Sequence, residues 1–178
     1  FSSSASLTLN TVTGEITTST SSPGTYTVTY TTAGTCTDTS SVQVTIYALD
    51  DASFSYPRLS YCVSDTDPIP TRTASQTIIG GTFTSTSGLS FTSSSTGIID
   101  LSASSPGTYT VTYTTAGNCS QSSSVNITIN DLDDAGFSYA KAAYCVNESD
   151  PSAVITGITS GTFSSLSGLV FTDTSSGT

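Results

Sequence analysis

Apolar and polar positions alternate in short runs along the whole chain, and the clearest run is Pro106 to Gly117. There Tyr109, Val111 and Tyr113 alternate with Thr108, Thr110, Thr112 and Thr114, the period of a strand with one buried and one wet face. Tyr109, Val111 and Tyr113 are therefore candidate core residues. Pro106-Gly107 supplies a turn before the strand and Ala116-Gly117-Asn118 a turn after it. The same twelve residues stand letter for letter at Pro23 to Gly34, 83 positions earlier, so one folding unit has been copied. Within the middle copy the pattern predicts a strand over Ala52–Tyr56, extended toward Cys62, and a turn at Ser64–Pro68. Further strands are predicted at Thr71–Ile79, Gly81–Ser85 and Leu89–Phe91, then a turn at Ser95-Thr96-Gly97. Ile98–Leu101, Thr108–Thr115 and Ser123–Asn130 complete the set, the last with Val125, Ile127 and Ile129 on its inner face.

The rest of the chain keeps the same period. Leu49-Asp50-Asp51-Ala52 matches Leu132-Asp133-Asp134-Ala135, Phe54-Ser55-Tyr56 matches Phe137-Ser138-Tyr139, and Tyr61-Cys62 matches Tyr144-Cys145, all 83 apart. Between the Tyr-Cys pair and the Gly-Thr-Phe that follows, the last copy is three residues shorter, a change that loops absorb. A Phe-x5-Leu-x-Phe/Leu motif occurs at Phe1/Leu7/Leu9, Phe83/Leu89/Phe91 and Phe163/Leu169/Phe171. The chain thus reads as a window cut from a longer array. It divides into a partial repeat over 1–50, a complete one over 51–133 and a partial one over 134–178; the boundaries move to about 62 and 145 if the strand after each connector folds back.

Composition narrows the class. Ser and Thr dominate, charged residues make up 9%, and His, Met and Trp are absent. Short Thr/Val/Ile/Tyr runs between turn signals, with no apolar spacing of helical period, predict an all-β sandwich. Low charge and many hydroxyls also suit a disordered chain, but apolar positions in register, with turn residues where strands end, argue for a packed core. No stretch reaches the length of a membrane span. A net charge of −10, with Arg58, Arg72 and Lys141 the only cations, argues against nucleic-acid binding.

Gly88-Leu-Ser-Phe91, Thr96-Gly-Ile-Ile99 and Pro106-Gly-Thr-Tyr-Thr-Val-Thr-Tyr113 resemble the pattern of bacterial immunoglobulin-like repeats. Tyr61-Cys62-Val-Ser-Asp65 with Gly117-Asn-Cys119-Ser120 is similar to the two-cysteine variants found in Bacteroidota. The resemblance implies tandem immunoglobulin-like β-sandwich repeats of about 83 residues, in a large secreted surface protein of the kind that includes gliding-motility adhesins exported by the type IX system. It also implies an extracellular or cell-surface location. Gly107-Thr-Tyr109 resembles the start of an immunoglobulin tyrosine corner, with Val111 where antibody domains place a cysteine.

Candidate chemistry is sparse. Without His, neither a Ser/His/Asp nor a Cys/His arrangement can be assembled, and the expectation is a non-enzymatic chain without a cofactor. Paired acids recur: Asp50/Asp51 with Asp133/Asp134, and Asp65/Asp67 with Glu148/Asp150. Recurring acids at a junction can ligate Ca²⁺, which makes Asp50, Asp51, Asp133 and Asp134 weak candidates. Turn acids more commonly bond their own backbone, so exposed turns without a metal are expected. An isopeptide cross-link fails because Lys141 aligns with Arg58. Asn118, Asn126 and Asn147 each head a glycosylation triplet, a pattern that chance yields in so Thr-rich a chain. The function expected is that of a structural repeat in the stalk or filament of a long surface adhesin. Its partners are the neighbouring repeats, other copies in a filament and an unknown surface ligand. The alternatives are an immunoglobulin-like module binding carbohydrate or protein, and an accessory region of a secreted enzyme.

The cysteines admit two registers. Cys62 can pair with Cys119 inside one repeat, or Cys36 with Cys62 and Cys119 with Cys145 across the connectors. The second is preferred. If the strand Val42–Ile46 turns at Leu49-Asp50-Asp51 and returns through Phe54–Tyr56, then Val44 meets Phe54, Val42 meets Tyr56 and Cys36 meets Cys62, and the next copy repeats this.

Overall fold

The computed structural model describes residues 1–72 and 80–175, and among them the architecture is all-β, in several small sheets, with one 3-10 turn at Thr18–Thr20 and no α-helix. The first copy holds β1 (Ser2–Ser3), β2 (Gly24–Thr31) and β3 (Thr39–Ile46), paired antiparallel in the order β1-β2-β3. The middle copy holds β4 (Phe54–Ser55), β5 (Ser60–Cys62), β6 (Thr71–Arg72), β7 (Thr82–Ser85), β8 (Ser90–Ser93), β9 (Ile98–Asp100), β10 (Gly107–Thr114) and β11 (Ser122–Asn130). The last copy contributes β12 (Phe137–Ser138) and β13 (Val154–Ile155). Residues 73–79 of the strand expected over Thr71–Ile79 lie outside the described residues.

In the middle copy a four-stranded sheet runs β5-β11-β10-β7, and β4-β6 and β8-β9 form two smaller pairs, an arrangement consistent with a β-sandwich. The alternating pattern dictates the long hairpin: Val111 faces Val125 and Tyr109 faces Ile127, so the apolar residues of both strands share one face. Tyr113, Phe83, Ile99, Leu101, Ile127, Ile129 and Val111 are fully buried there, with Tyr109 close behind. Phe54 packs edge-on against Phe83 at 5.2 Å between ring centroids, and Phe83 lies 4.6 Å from Tyr113, separations at which aromatic pairs add to simple burial. Gly97 allows this packing. Its φ of +72° is one that side chains seldom adopt, and a Cβ there would stand 2.7 Å from the Phe83 ring. The opposite face of the hairpin is zipped by hydroxyls. Thr108 meets Thr128 at 3.0 Å, Thr112 meets Ser124 at 2.7 Å, and Thr110 donates to Asn126 at 3.0 Å. The first copy repeats the device with Thr25–Thr45 and Thr29–Ser41.

The expected return hairpin across the connector does not form. Val44 pairs with Tyr26 and Val42 with Val28, while Phe54 pairs with Arg72. The reason is local: β3 has an eight-residue partner in β2 a short loop away, whereas the segment from Phe54 is cut short by Pro57, which lacks the N–H that a ladder needs. After Pro57 the chain leaves β6, and β5 pairs parallel with the end of β11, Ser60 against Thr128 and Cys62 against Asn130. The single strand expected from Ala52 toward Cys62 is thus two strands in two sheets.

Candidate functional site

Two polar clusters of the middle copy sit at the two ends of β11, where the chain enters and leaves. At the entry, Asp50 is 9% exposed. Its Oδ2 accepts from the Thr115 hydroxyl at 2.6 Å and the Gly117 N–H at 3.0 Å, and its own N–H donates to the Cys119 carbonyl at 3.1 Å. Thr115, also buried, organises the β10–β11 loop: its Oγ1 accepts from the Gln121 N–H at 2.9 Å, and its carbonyl accepts from the Ser120 hydroxyl at 2.7 Å. Thr32 plays the matching part in the first copy, accepting from the Asp38 N–H at 2.8 Å. One residue on, Asp51 Oδ1 accepts from the Ser53 N–H at 2.9 Å, and Asp134 repeats this with Gly136 at 2.8 Å. The expectation of exposed turns is corrected for Asp50, which is a buried clasp between connector and loop, while Asp51 and Asp134 do bond their own turns.

At the exit, Arg58 lies 4.8 Å above the Tyr61 ring and bonds Asp65 at 3.1 Å, the Arg58 side chain open to solvent and that of Asp65 partly covered. Asp65 Oδ2 also accepts from the Cys62 N–H at 2.9 Å, and the Arg58 N–H donates to the Tyr61 hydroxyl at 3.0 Å. The last copy repeats the unit with Lys141 5.4 Å from Tyr144 and 2.9 Å from Glu148. Sequence reasoning noted that Lys141 aligns with Arg58 but missed the three-residue unit, although Arg58/Tyr61/Asp65 and Lys141/Tyr144/Glu148 share one spacing. Asp67 is spent on the Leu101 N–H at 3.0 Å. Asn130 ties the end of β11 to β5 through Ser60 and the Tyr61 carbonyl at 2.8 and 3.2 Å.

Among the described residues, no three His, Cys, Asp or Glu side chains gather where they could hold a metal ion. The four acids weighed for Ca²⁺ fall at two connectors as Asp50/Asp51 and Asp133/Asp134, and the first connector's carboxylates serve the hydrogen bonds just described. All four cysteines carry free thiols; Cys62 and Cys119 are half-buried, and Cys36 and Cys145 exposed. A groove of about 450 Å³ is lined in the last copy by Tyr139, Tyr144, Leu169 and Phe171 among others. Their counterparts Tyr56, Tyr61, Leu89 and Phe91 pack on the core of the middle copy, so the groove is core surface of the repeat and not a formed ligand site. The Tyr109 hydroxyl donates to the Ser105 carbonyl at 2.7 Å and the Tyr26 hydroxyl to that of Ser22 at 2.6 Å, pinning each long strand to the turn that launches it. Burial holds the Tyr56 phenol above the usual tyrosine range, helped by the neighbouring Tyr61, and its hydroxyl donates to the Gly97 carbonyl.

Comparison with known proteins adds no identification: no family model matches the chain, and no curated protein matches it.

Proposed function

We propose that this chain is a structural segment of an extracellular stalk or filament, built from tandem immunoglobulin-like repeats of about 83 residues and without catalytic activity of its own. The observation that carries the reading is where the chain crosses the middle copy. It enters at the β10–β11 loop, clasped through Asp50, and leaves from Asn130 at the other end of β11. Units entered at one end and left at the other extend a chain in series instead of folding it back. The hydroxyl-covered sheet face and the net charge of −10 suit a surface held in water. The resemblance of Gly88–Phe91, Thr96–Ile99 and Pro106–Tyr113 to bacterial immunoglobulin-like repeats supports a secreted, cell-surface setting and a role in adhesion, with the ligand bound elsewhere along the array.

The test is length. Strands of this size rise ~3.3 Å per residue, so each added repeat lengthens the particle by ~30–40 Å. Small-angle scattering or electron microscopy of chains with one, two and three full repeats is expected to show that increment. Arrays that grow in cross-section while their length stays fixed overturn the stalk reading.

A further inference from the structure

The two cysteines of the middle copy lie at opposite ends of β11. Cys62 is the register partner of Asn130, the last residue of that strand, and the neighbouring Val63 N–H donates to the Asn130 carbonyl at 3.0 Å. Cys119 precedes the first residue of the strand, Ser122, and its carbonyl accepts the Asp50 N–H. The strand between them spans ~26 Å, whereas a disulfide needs Cα atoms within ~7 Å. They cannot bond each other.

Each does flank a connector. By the 83-residue period Asp133 takes the place of Asp50, so a Cys62 position stands beside the start of the connector Asn130–Asp133 and a Cys119 position stands one hydrogen bond from its end. Three residues reach at most ~11 Å, so a bend in the connector is what brings the two Cα atoms within the ~7 Å that a disulfide needs. We propose that, where copies follow one another, the thiol at the Cys62 position of one copy forms a disulfide with the thiol at the Cys119 position of the next, across the connector. This rests on the stalk reading only in requiring copies in series. Two thiols lose two protons and two electrons to a small-molecule disulfide, which leaves as two thiols, so the exchange balances. Cys36 is of the same type as Cys119, and Cys145 of the same type as Cys62. In chain order the copies offer Cys36, then Cys62 and Cys119, then Cys145. No connector in this chain has both partners, which accords with four free thiols.

After equilibration in a mixed reduced and oxidised glutathione buffer, mass spectrometry of the non-reduced chains, with a cysteine capped by glutathione counted as a free thiol, decides the matter. The chain itself is expected to keep all four thiols. The full chain carrying a second copy of residues 51–133 inserted after Asp133 has six, and is expected to lose two, leaving four. Pairing of Cys36 with Cys62 and its repeats would leave none in either chain. Pairing within each copy would leave two in either chain, and no pairing would leave six in the extended one; each of these overturns the proposal. Cys62→Ser in the upstream of the two 51–133 copies of the extended chain is expected to free the partner thiol and leave five thiols free. Retention of only three there would show that the bond lies elsewhere. Scattering on the reduced extended chain reports length independently, so a failed staple and a failed stalk are told apart.

Discussion

Asp50 is the residue on which the middle copy's entry depends. Asp50→Ala removes the acceptor for the Thr115 hydroxyl and the Gly117 N–H, and donors left unpaired in a buried place cost about 1–3 kcal/mol. Urea denaturation is expected to show that loss for Asp50→Ala and a change within about 0.5 kcal/mol for the exposed Asp133→Ala. Because the Asp50 carboxylate already accepts two protein hydrogens, EDTA is expected to leave the melting temperature unchanged; a fall of several degrees would show a metal at the connectors. Tyr56 gives a pH signature. Its folded pKa is raised, first by burial and then by Tyr61, so the stability it contributes is complete below the unfolded value of about 10 and is lost as pH rises through the folded one. Phenolate absorbance is expected to show a late-ionising component that Tyr56→Phe diminishes. The acid pair at Asp50/Asp51 was legible in sequence as a recurrent feature, but the burial of Asp50 was not, because its partner Thr115 is 65 residues away and reads as one Thr among many.

Strand pairing was legible wherever alternation runs long. The β10–β11 register follows from the two apolar sets at Tyr109/Val111/Tyr113 and Val125/Ile127/Ile129 needing one face, and the wet face then lines up hydroxyl against hydroxyl. Ile127→Ala takes a fully buried side chain out of that face and is expected to cost about 2–5 kcal/mol by chemical denaturation. Thr112→Ala, on the hydroxyl face, loses one exposed bond to Ser124 and is expected to cost about 1 kcal/mol or less. The segment from Ala52 to Cys62 was not read correctly. Its apolar residues fit one strand, and only Pro57 signalled that the ladder must stop there; which sheet the chain joins next is a tertiary choice made by the free edge of β11. The return hairpin failed for the same reason, since alternation shows which residues share a face without naming the partner strand.

Over the whole molecule, the repeat was legible at once, and the contrast between copies was not. The same motif residues are buried in one copy and open in another: Tyr113 is 0% exposed and its counterpart Tyr30 48%, Leu89 8% and Leu169 64%. A side chain stabilises by what covers it, and identical sequence in a different setting is covered differently. Limited proteolysis is therefore expected to cut within the flanking copies first and to leave a resistant fragment of roughly the middle period, detectable by mass spectrometry; equal susceptibility throughout would contradict the burial contrast.

The parallel pairing of β5 with β11 has a consequence under tension. The chain reaches β5 from the Asp50 end and departs from the opposite end of β11, so a pull on the two termini of the repeat slides these strands past each other. The bonds from Thr128 N–H to the Leu59 carbonyl and from Val63 N–H to the Asn130 carbonyl, 2.8 and 3.0 Å long, then lie across the direction of force and must give way together. Peeling would open them one by one. A repeat loaded in shear resists with several bonds at once, so its rupture force in single-molecule stretching is expected to exceed that of the β2–β3 hairpin opened from its ends, although hydrogen bonds between β5 and β11 are fewer.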